Sequence, residues 1–203
     1  MTLPIRRTQA ERRIQSEGAL LHAAIDLIAA QGVSAVTFEA LGRVGGFSRG
    51  LAGLRFGSKA RLIETVLHQL HEEQDALVDH HRFDDRPGLD AILDYVALAL
   101  SDMMRGNRGR AYFRLLSWSV AEAHDSRSAF ATVHRRVADR FARWIATGQR
   151  EGAIRAAIDP AAMAITIGGL MLGLSIQCLV DESSDADALR AATLATLRTS
   201  LAT

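Results

Sequence analysis

The segment from Gly45 to Lys59, GGFSRGLAGLRFGSK, contains two patterns that could carry out enzyme chemistry. Gly46 to Gly50 fits G-x-S-x-G, in which a serine hydroxyl attacks a carbonyl carbon. Gly53 to Lys59 approaches a phosphate-binding loop, but it has three residues between its glycines where that loop needs four. Both motifs require a preceding strand, whereas TFEALGRV has helical periodicity. We therefore predict that the protein is not an enzyme, and we keep a serine hydrolase at Ser48 as the third alternative.

The charge of the chain is unevenly distributed. The 203 residues carry a formal net charge of +1, yet residues 1–60 hold eight Arg and Lys against four Asp and Glu. A basic end of this kind indicates binding to a polyanion such as nucleic acid. The single cysteine, Cys178, forms no internal disulfide, which favours a reducing compartment and predicts a cytoplasmic protein.

Apolar residues recur at spacings of three and four, so the elements that position these residues are helices. We predict an all-α fold of about nine helices in two domains, a helix-turn-helix domain at 1–60 with its motif at about 37–56, and a regulatory domain at 61–203. Thr37, Ser48 and Ser58 are the expected N-caps of successive helices. The glycines after Val44 are expected to form the turn, and Leu51 and Leu54 are expected to share an inward face.

The pattern TFEALGRVGGFSRG from Thr37 to Gly50, followed by Phe56-Gly57-Ser58-Lys59 and Leu62, resembles the TetR-type transcriptional regulators. The resemblance covers about residues 11 to 71. It implies a homodimer that binds a pseudo-palindromic operator in double-stranded DNA, and a repressor that an apolar or aromatic small molecule releases. Gly53 and Leu54 stand where the family commonly has aromatic or polar residues, so the alternative is a helical sensor module with a weakened DNA-binding head.

Arg49, near the start of the recognition helix, is our candidate base reader, while an ordinary phosphate contact is the competing interpretation. Lys59 resembles the family lysine that meets the DNA backbone. Arg6, Arg7, Arg12 and Arg13 form either an arm on the DNA or a solvated tail. The predicted DNA-binding residues are Thr37, Ser48, Arg49, Gly50, Leu51, Gly53, Leu54, Arg55 and Lys59.

The resemblance also implies a ligand cavity and a dimer interface among the later helices. We predict no cofactor and no metal, and expect the histidines 68, 71, 80 and 81 to be solvated. The apolar segment from Ala161 to Val180 is expected to pack against protein rather than cross a membrane. The candidate pocket residues are Tyr95, Met103, Trp118, Phe141, Trp144, Met171 and Cys178. The candidate interface residues, which could instead bury these helices internally, are Met163, Ile167, Leu170, Leu174, Leu194, Leu197 and Leu201.

Overall fold

The computed structural model describes residues 9–122, 125–181 and 183–203. Within these residues the fold is all-α, with nine α-helices and two short 3-10 helices, which confirms the predicted fold class. The α-helices are α1 (Gln9–Gln31), α2 (Phe38–Gly45), α3 (Arg49–Phe56), α4 (Lys59–His81), α5 (Gly88–Arg105), α6 (Asn107–Ala121), α7 (Arg127–Arg150), α8 (Pro160–Val180) and α9 (Ala186–Leu201).

The first hydrophobic core lies under α1, α2 and α3, and we call these three helices the head. It also contains the first half of α4, from Leu62 to Leu70, and receives Ala111 and Leu115 from α6 and Phe130 from α7. The boundary predicted at residue 60 therefore falls in the first turn of α4, inside a core that continues along this helix.

Two helices join the head to the remaining helices, which we call the body. One is α4, and the other is α6, which packs along α1. The amide Nδ2 of Asn107 donates to Oδ1 of Asp26 at 2.9 Å, and the guanidinium of Arg114 donates to the carbonyl oxygen of Ile28 at 3.4 Å. The head is thus joined to the body through the continuous helix α4 and through the contact between α1 and α6.

The body has its own core, in which α5 is the central helix and packs against α6, α7, α8 and α9. The start of α5 approaches α7 so closely that a Cβ atom on Gly88 would lie 2.2 Å from the carbonyl oxygen of Trp144. The indole nitrogen of Trp144 donates to Oδ1 of Asp84 at 2.7 Å, which satisfies its only donor. These contacts fix the start of α5 against α7.

The helix α8 exposes a large part of its apolar surface. Ile165, Ile176 and Val180 are 69%, 44% and 77% exposed. Among the described residues, this helix alone is long and apolar enough to span a membrane, with a mean hydropathy of 1.9 and 22% of its most apolar window buried. Length and composition do not separate a spanning helix from one that packs against protein, but the exposed apolar surface does require a partner of some kind.

Candidate nucleic-acid interface and ligand cavity

The turn between α2 and α3 has the geometry of a helix-turn-helix. Gly46 closes α2 in the left-handed region, with φ of 72°, which glycine adopts without the strain that a side chain would add. The amide of Phe47 then donates to the carbonyl oxygen of Gly42 at 2.8 Å. The amide of Gly46 donates to the same oxygen, and Phe47 packs half-buried against the head core. Two backbone hydrogen bonds and one apolar contact therefore fix the turn.

Three hydroxyl side chains are the N-caps of α2, α3 and α4, as the sequence predicts. Thr37 accepts from the amide of Ala40 at 3.0 Å, Ser48 from Leu51 at 3.3 Å and Ser58 from Arg61 at 3.2 Å. The hydroxyl of Ser48 satisfies an otherwise unpaired amide at the start of α3, and its predicted contact with DNA remains a prediction.

The recognition helix α3 turns a different face inward from the one expected. Ala52 and Phe56 are 0% and 4% exposed, and positions four apart share a helix face, so these two form the buried stripe. Leu51 is half-buried against the same core. The expectation that Leu54 packs inward with Leu51 is wrong, since Leu54 is 79% exposed. Leu54 and Gly50 instead lie on the outer face of the helix.

The glycines of α3 are not required by packing within one chain. A Cβ atom on Gly53 would lie 3.8 Å from Cδ2 of Phe38, and one on Gly50 would lie 4.0 Å from Oγ of Ser48. Both distances are ordinary contacts.

We expect Gly53→Ala to stabilise the fold by about 0.5–1 kcal/mol, because alanine loses less backbone entropy in a helix and the space for its methyl group exists. Gly53 is also one of the predicted DNA-binding residues, and on that prediction the added methyl group should lower operator affinity. Gly18→Ala is the matched control, because a Cβ on this helical glycine meets no atom within 4 Å. It should stabilise the fold equally. Chemical denaturation and an operator-binding assay measure both effects, and a destabilised Gly53→Ala protein would contradict the packing described here.

Cationic side chains lie in the last turns of α2 and α3 and in the first turn of α4. Lys59 is exposed, its ammonium group donates to the carbonyl oxygen of Ser34 at 3.4 Å, and partial burial lowers its pKa. Arg43 and Arg61 are also exposed, and sequence reasoning did not single them out. Arg55 is half-buried, and its Nε has no hydrogen-bond partner among the described residues.

Some predicted DNA-binding residues cannot be placed in the same detail. Arg49 is the first residue of α3, and its side chain is outside the described part of the molecule, as is that of Arg12. Arg6 and Arg7 lie wholly outside the described residues. The roles given to these arginines remain predictions.

The body contains a cavity of about 540 Å³ between α4, α5, α6, α7 and α8. Three of the predicted pocket residues, Tyr95, Met103 and Met171, line it. Much of the remaining wall is apolar and comes from α7 and α8. The volume is within the range of ordinary small-molecule sites. The residues that line the cavity and were not predicted include Leu70, His71, Gln74, Asp102, Arg108, Tyr112, Val133, His134, Ala138, Ala142, Ala164, Gly168 and Leu172.

The other four predicted pocket residues lie elsewhere. Trp118 packs against the head core, and Phe141 and Trp144 are buried in the body core. Cys178 is half-buried near the end of α8. Trp118 on α6 and Trp144 on α7 therefore lie in different hydrophobic cores.

The expectation that His71 is solvated is wrong. Its Nε2 is buried without a hydrogen-bond partner in the described residues, and its ring meets Tyr112 and Phe130 edge to face at centroid distances of 6.1 and 5.9 Å. Burial, with a smaller contribution from Arg136, lowers the pKa of His71 to about 4. His68, one turn earlier, is exposed and contacts Glu72 at 3.2 Å. Helical spacing alone could have predicted that His71 is buried and His68 is exposed. His71 lies four residues after the buried Leu67, and therefore on the same helix face, and directly follows the buried Leu70.

The candidate interface residues divide into two groups. Ile167, Leu197 and Leu201 are 0%, 4% and 0% exposed within a single chain, so they pack its own core. Met163, Leu170, Leu174 and Leu194 are half-buried against that core. The outer face of α8 is formed instead by Ile165, Gly169, Gly173, Ile176 and Val180.

Residues 20–66 match the model of the family "Bacterial regulatory proteins, tetR family". The matched segment runs from the middle of α1 through the helix-turn-helix to the first half of α4. The family consists of DNA-binding regulators rather than enzymes, which agrees with the prediction from the context of Ser48. No curated protein sequence is significantly similar to the chain.

Solved structures share the fold over nearly the whole chain. A transcriptional regulator from Saccharomonospora viridis, solved with choline, has 21% identity and a TM-score of 0.82, and covers 96% of this chain and 100% of its own. NalD, the secondary repressor of the MexAB-OprM multidrug efflux pump in Pseudomonas aeruginosa, has 20% identity and a TM-score of 0.71, with coverages of 94% and 98%. SmeT from Stenotrophomonas maltophilia, solved with triclosan, has 19% identity and a TM-score of 0.75, with coverages of 93% and 92%. The family model thus matches the helix-turn-helix segment at residues 20–66, and nearly the whole chain shares its fold with these solved structures.

Proposed function

We propose that the protein is a cytoplasmic, dimeric transcriptional repressor that leaves its operator when a small apolar or aromatic molecule occupies the cavity of the body. The observation that carries this proposal is the course of α4. The helix begins at Lys59 beside the recognition helix, and its residues Leu70, His71 and Gln74 line the cavity.

The two helices that join head and body both contact the cavity. In α4, Leu62 and Val66 are buried in the head core a few turns before His71 reaches the cavity. In α6, Tyr112 lines the cavity, while Leu115, less than one turn later, is buried in the head core. A ligand that displaces either helix must therefore reposition α1 to α3, because packed cores do not deform continuously.

Dimerisation follows from the needs of DNA recognition and from α8. One recognition helix contacts too few base pairs for specific binding, so regulators of this kind read two half-sites related by a two-fold axis. The exposed apolar face of α8 supplies a surface that a second copy would cover. Gly169 and Gly173 on this face have no atom within 4 Å of a built Cβ, so they leave room for a close partner helix.

The related structures support a repressor with a ligand. NalD and SmeT are named as repressors of multidrug efflux pumps, and SmeT was solved with triclosan. We take repression from these two proteins and ligand binding from the cavity of this chain. The choline bound to the Saccharomonospora viridis protein shows that ligands of unlike chemistry occur in this fold.

Selection of bound duplexes from a random pool, followed by a screen for release, tests the proposal. The selected sites should be pseudo-palindromic. Equilibrium coupling is reciprocal, so a compound that weakens operator binding tenfold must itself bind the operator complex tenfold more weakly, about 1.4 kcal/mol either way. Trp144 reports occupancy, because its ring lies 5.6 Å from that of the cavity residue Tyr95.

The alternative is a helical sensor whose head binds DNA poorly. Leu54, which is exposed and apolar on the outer face of α3, is the observation that favours it. Retained ligand binding without any selected duplex would establish the sensor and exclude the repressor.

A further inference from the structure

Three hydrogen-bonding side chains that line the cavity, His71, Tyr112 and His134, lie together where α4, α6 and α7 meet. The hydroxyl of Tyr112 and Nε2 of His134 lie 2.7 Å apart and share a hydrogen bond. The ring of His71 completes this polar end at 6.1 Å from that of Tyr112. A tyrosine hydroxyl that donates to a histidine can still accept a second hydrogen bond, so the pair remains able to bind a polar group.

Most of the other side chains with which α7 and α8 line the cavity are apolar, so they leave space for the body of a ligand without offering it a polar partner. They include Val137, Ala138, Ala142, Ala164, Ile165 and Met171.

The polar end carries no formal charge near neutral pH. Burial lowers the pKa of both His71 and His134, and burial raises the pKa of Tyr112 far above its usual value. All three side chains are therefore neutral. They can donate and accept hydrogen bonds but cannot compensate a charged ligand group.

The basic and acidic side chains that line the cavity are equal in number. Two are basic, Arg108 and Arg135, and two are acidic, Asp102 and Asp139. Arg135 and Asp139 are exposed, and Nη2 of Arg108 already lies 2.7 Å from Oε2 of Glu73. Because the lining holds two basic and two acidic side chains, it offers an ionised ligand no net opposite charge to offset its lost hydration.

We propose that the cavity binds an uncharged amphiphile, whose hydroxyl or carbonyl group hydrogen-bonds with the Tyr112–His134 pair while its apolar body lies along α7 and α8. The inference rests on the proposed function for the presence of a ligand and adds its chemical class, its orientation and the residue that selects it.

This orientation places the polar group of the ligand next to the head. The ring of Tyr112 lies 5.3 Å from that of Phe130, and Phe130 is 2% exposed within the head core. A group that competes for the Tyr112–His134 hydrogen bond therefore acts one side chain away from the packing of the head.

Equilibrium dialysis of the full chain against three probes of one skeleton tests the proposal without DNA. The probes are para-phenylphenol, biphenyl and trimethyl(para-biphenylyl)ammonium. We expect the phenol to bind about tenfold more tightly than biphenyl, which is the effect of one net hydrogen bond in a buried site, and the cation to bind about tenfold more weakly than biphenyl.

Tyr112→Phe should remove the advantage of the phenol and leave biphenyl affinity within about twofold, so unchanged biphenyl binding also shows that the cavity is intact. Tyr95→Phe makes the same chemical change at another lining tyrosine and should keep the preference for the phenol. Equal affinity for phenol and biphenyl overturns the proposal, as does a preference for the cation or a loss of selectivity only in Tyr95→Phe. Selective phenol binding that never releases an operator would leave this inference standing and overturn the repressor switch instead.

Discussion

Raising the salt concentration from about 50 to about 200 mM is expected to weaken operator binding by about 10³-fold or more, the loss that accompanies six or more neutralised phosphates. Two heads must together supply these contacts. Each head offers the exposed cations Arg43, Lys59 and Arg61 and the positive N-terminal ends of α3 and α4. Fluorescence anisotropy with a selected duplex, repeated over a series of salt concentrations, measures the slope.

Two substitutions divide the expected DNA contacts by type. Lys59→Ala should weaken specific and random duplexes alike and reduce the salt slope by about one per protomer, because it removes a phosphate contact. Arg49→Ala should reduce the preference for the selected site more than the affinity for random DNA. Arg150→Ala, which removes an exposed cation at the end of α7, is the control and should change neither. Binding that is insensitive to salt would overturn the interface proposed for the head.

Gly173→Trp is expected to convert the dimer to a monomer, raising the dimer dissociation constant by about 10³-fold or more, because a large side chain in a close helix contact costs several kcal/mol. Gly173 is exposed on α8, and a built Cβ meets no atom of its own chain within 4 Å. The side chain therefore has room in the monomer and lacks it only if a partner helix packs there. Sedimentation velocity at several concentrations measures the change.

Ala131→Trp is the matched control for this substitution, because Ala131 is exposed on α7 and gains the same side chain. It should remain dimeric, and both variants should keep the helical content of the original protein. Operator affinity should fall with dimerisation, since a monomer reads one half-site. A protein that sediments as a monomer at micromolar concentration without any substitution would show that α8 is not the interface.

The positions of the helices and their order along the chain were predictable from the amino-acid sequence. Helix boundaries depend on local chemistry, such as the hydroxyls of Thr37, Ser48 and Ser58 at helix starts and the left-handed Gly46 at a helix end. These interactions span only a few residues, so the printed order of residues contains them. The helix-turn-helix was predictable for the same reason, because its geometry is short-range and its motif lies within residues 37–56.

The contacts of individual apolar side chains could not be predicted from the sequence and became known from the tertiary structure. The helix α8 is apolar on every side, so periodicity could not show that Ile167 is buried and Ile165 is exposed. In α3, which is only eight residues long, the pattern did not reveal that Ala52 rather than Leu54 faces the core. The cavity is lined by five helices, α4 to α8, and the hydrogen bond between Tyr112 and His134 joins two of them. Contacts of this kind depend on how helices cross, and crossing depends on the packing of the whole molecule rather than on any one segment.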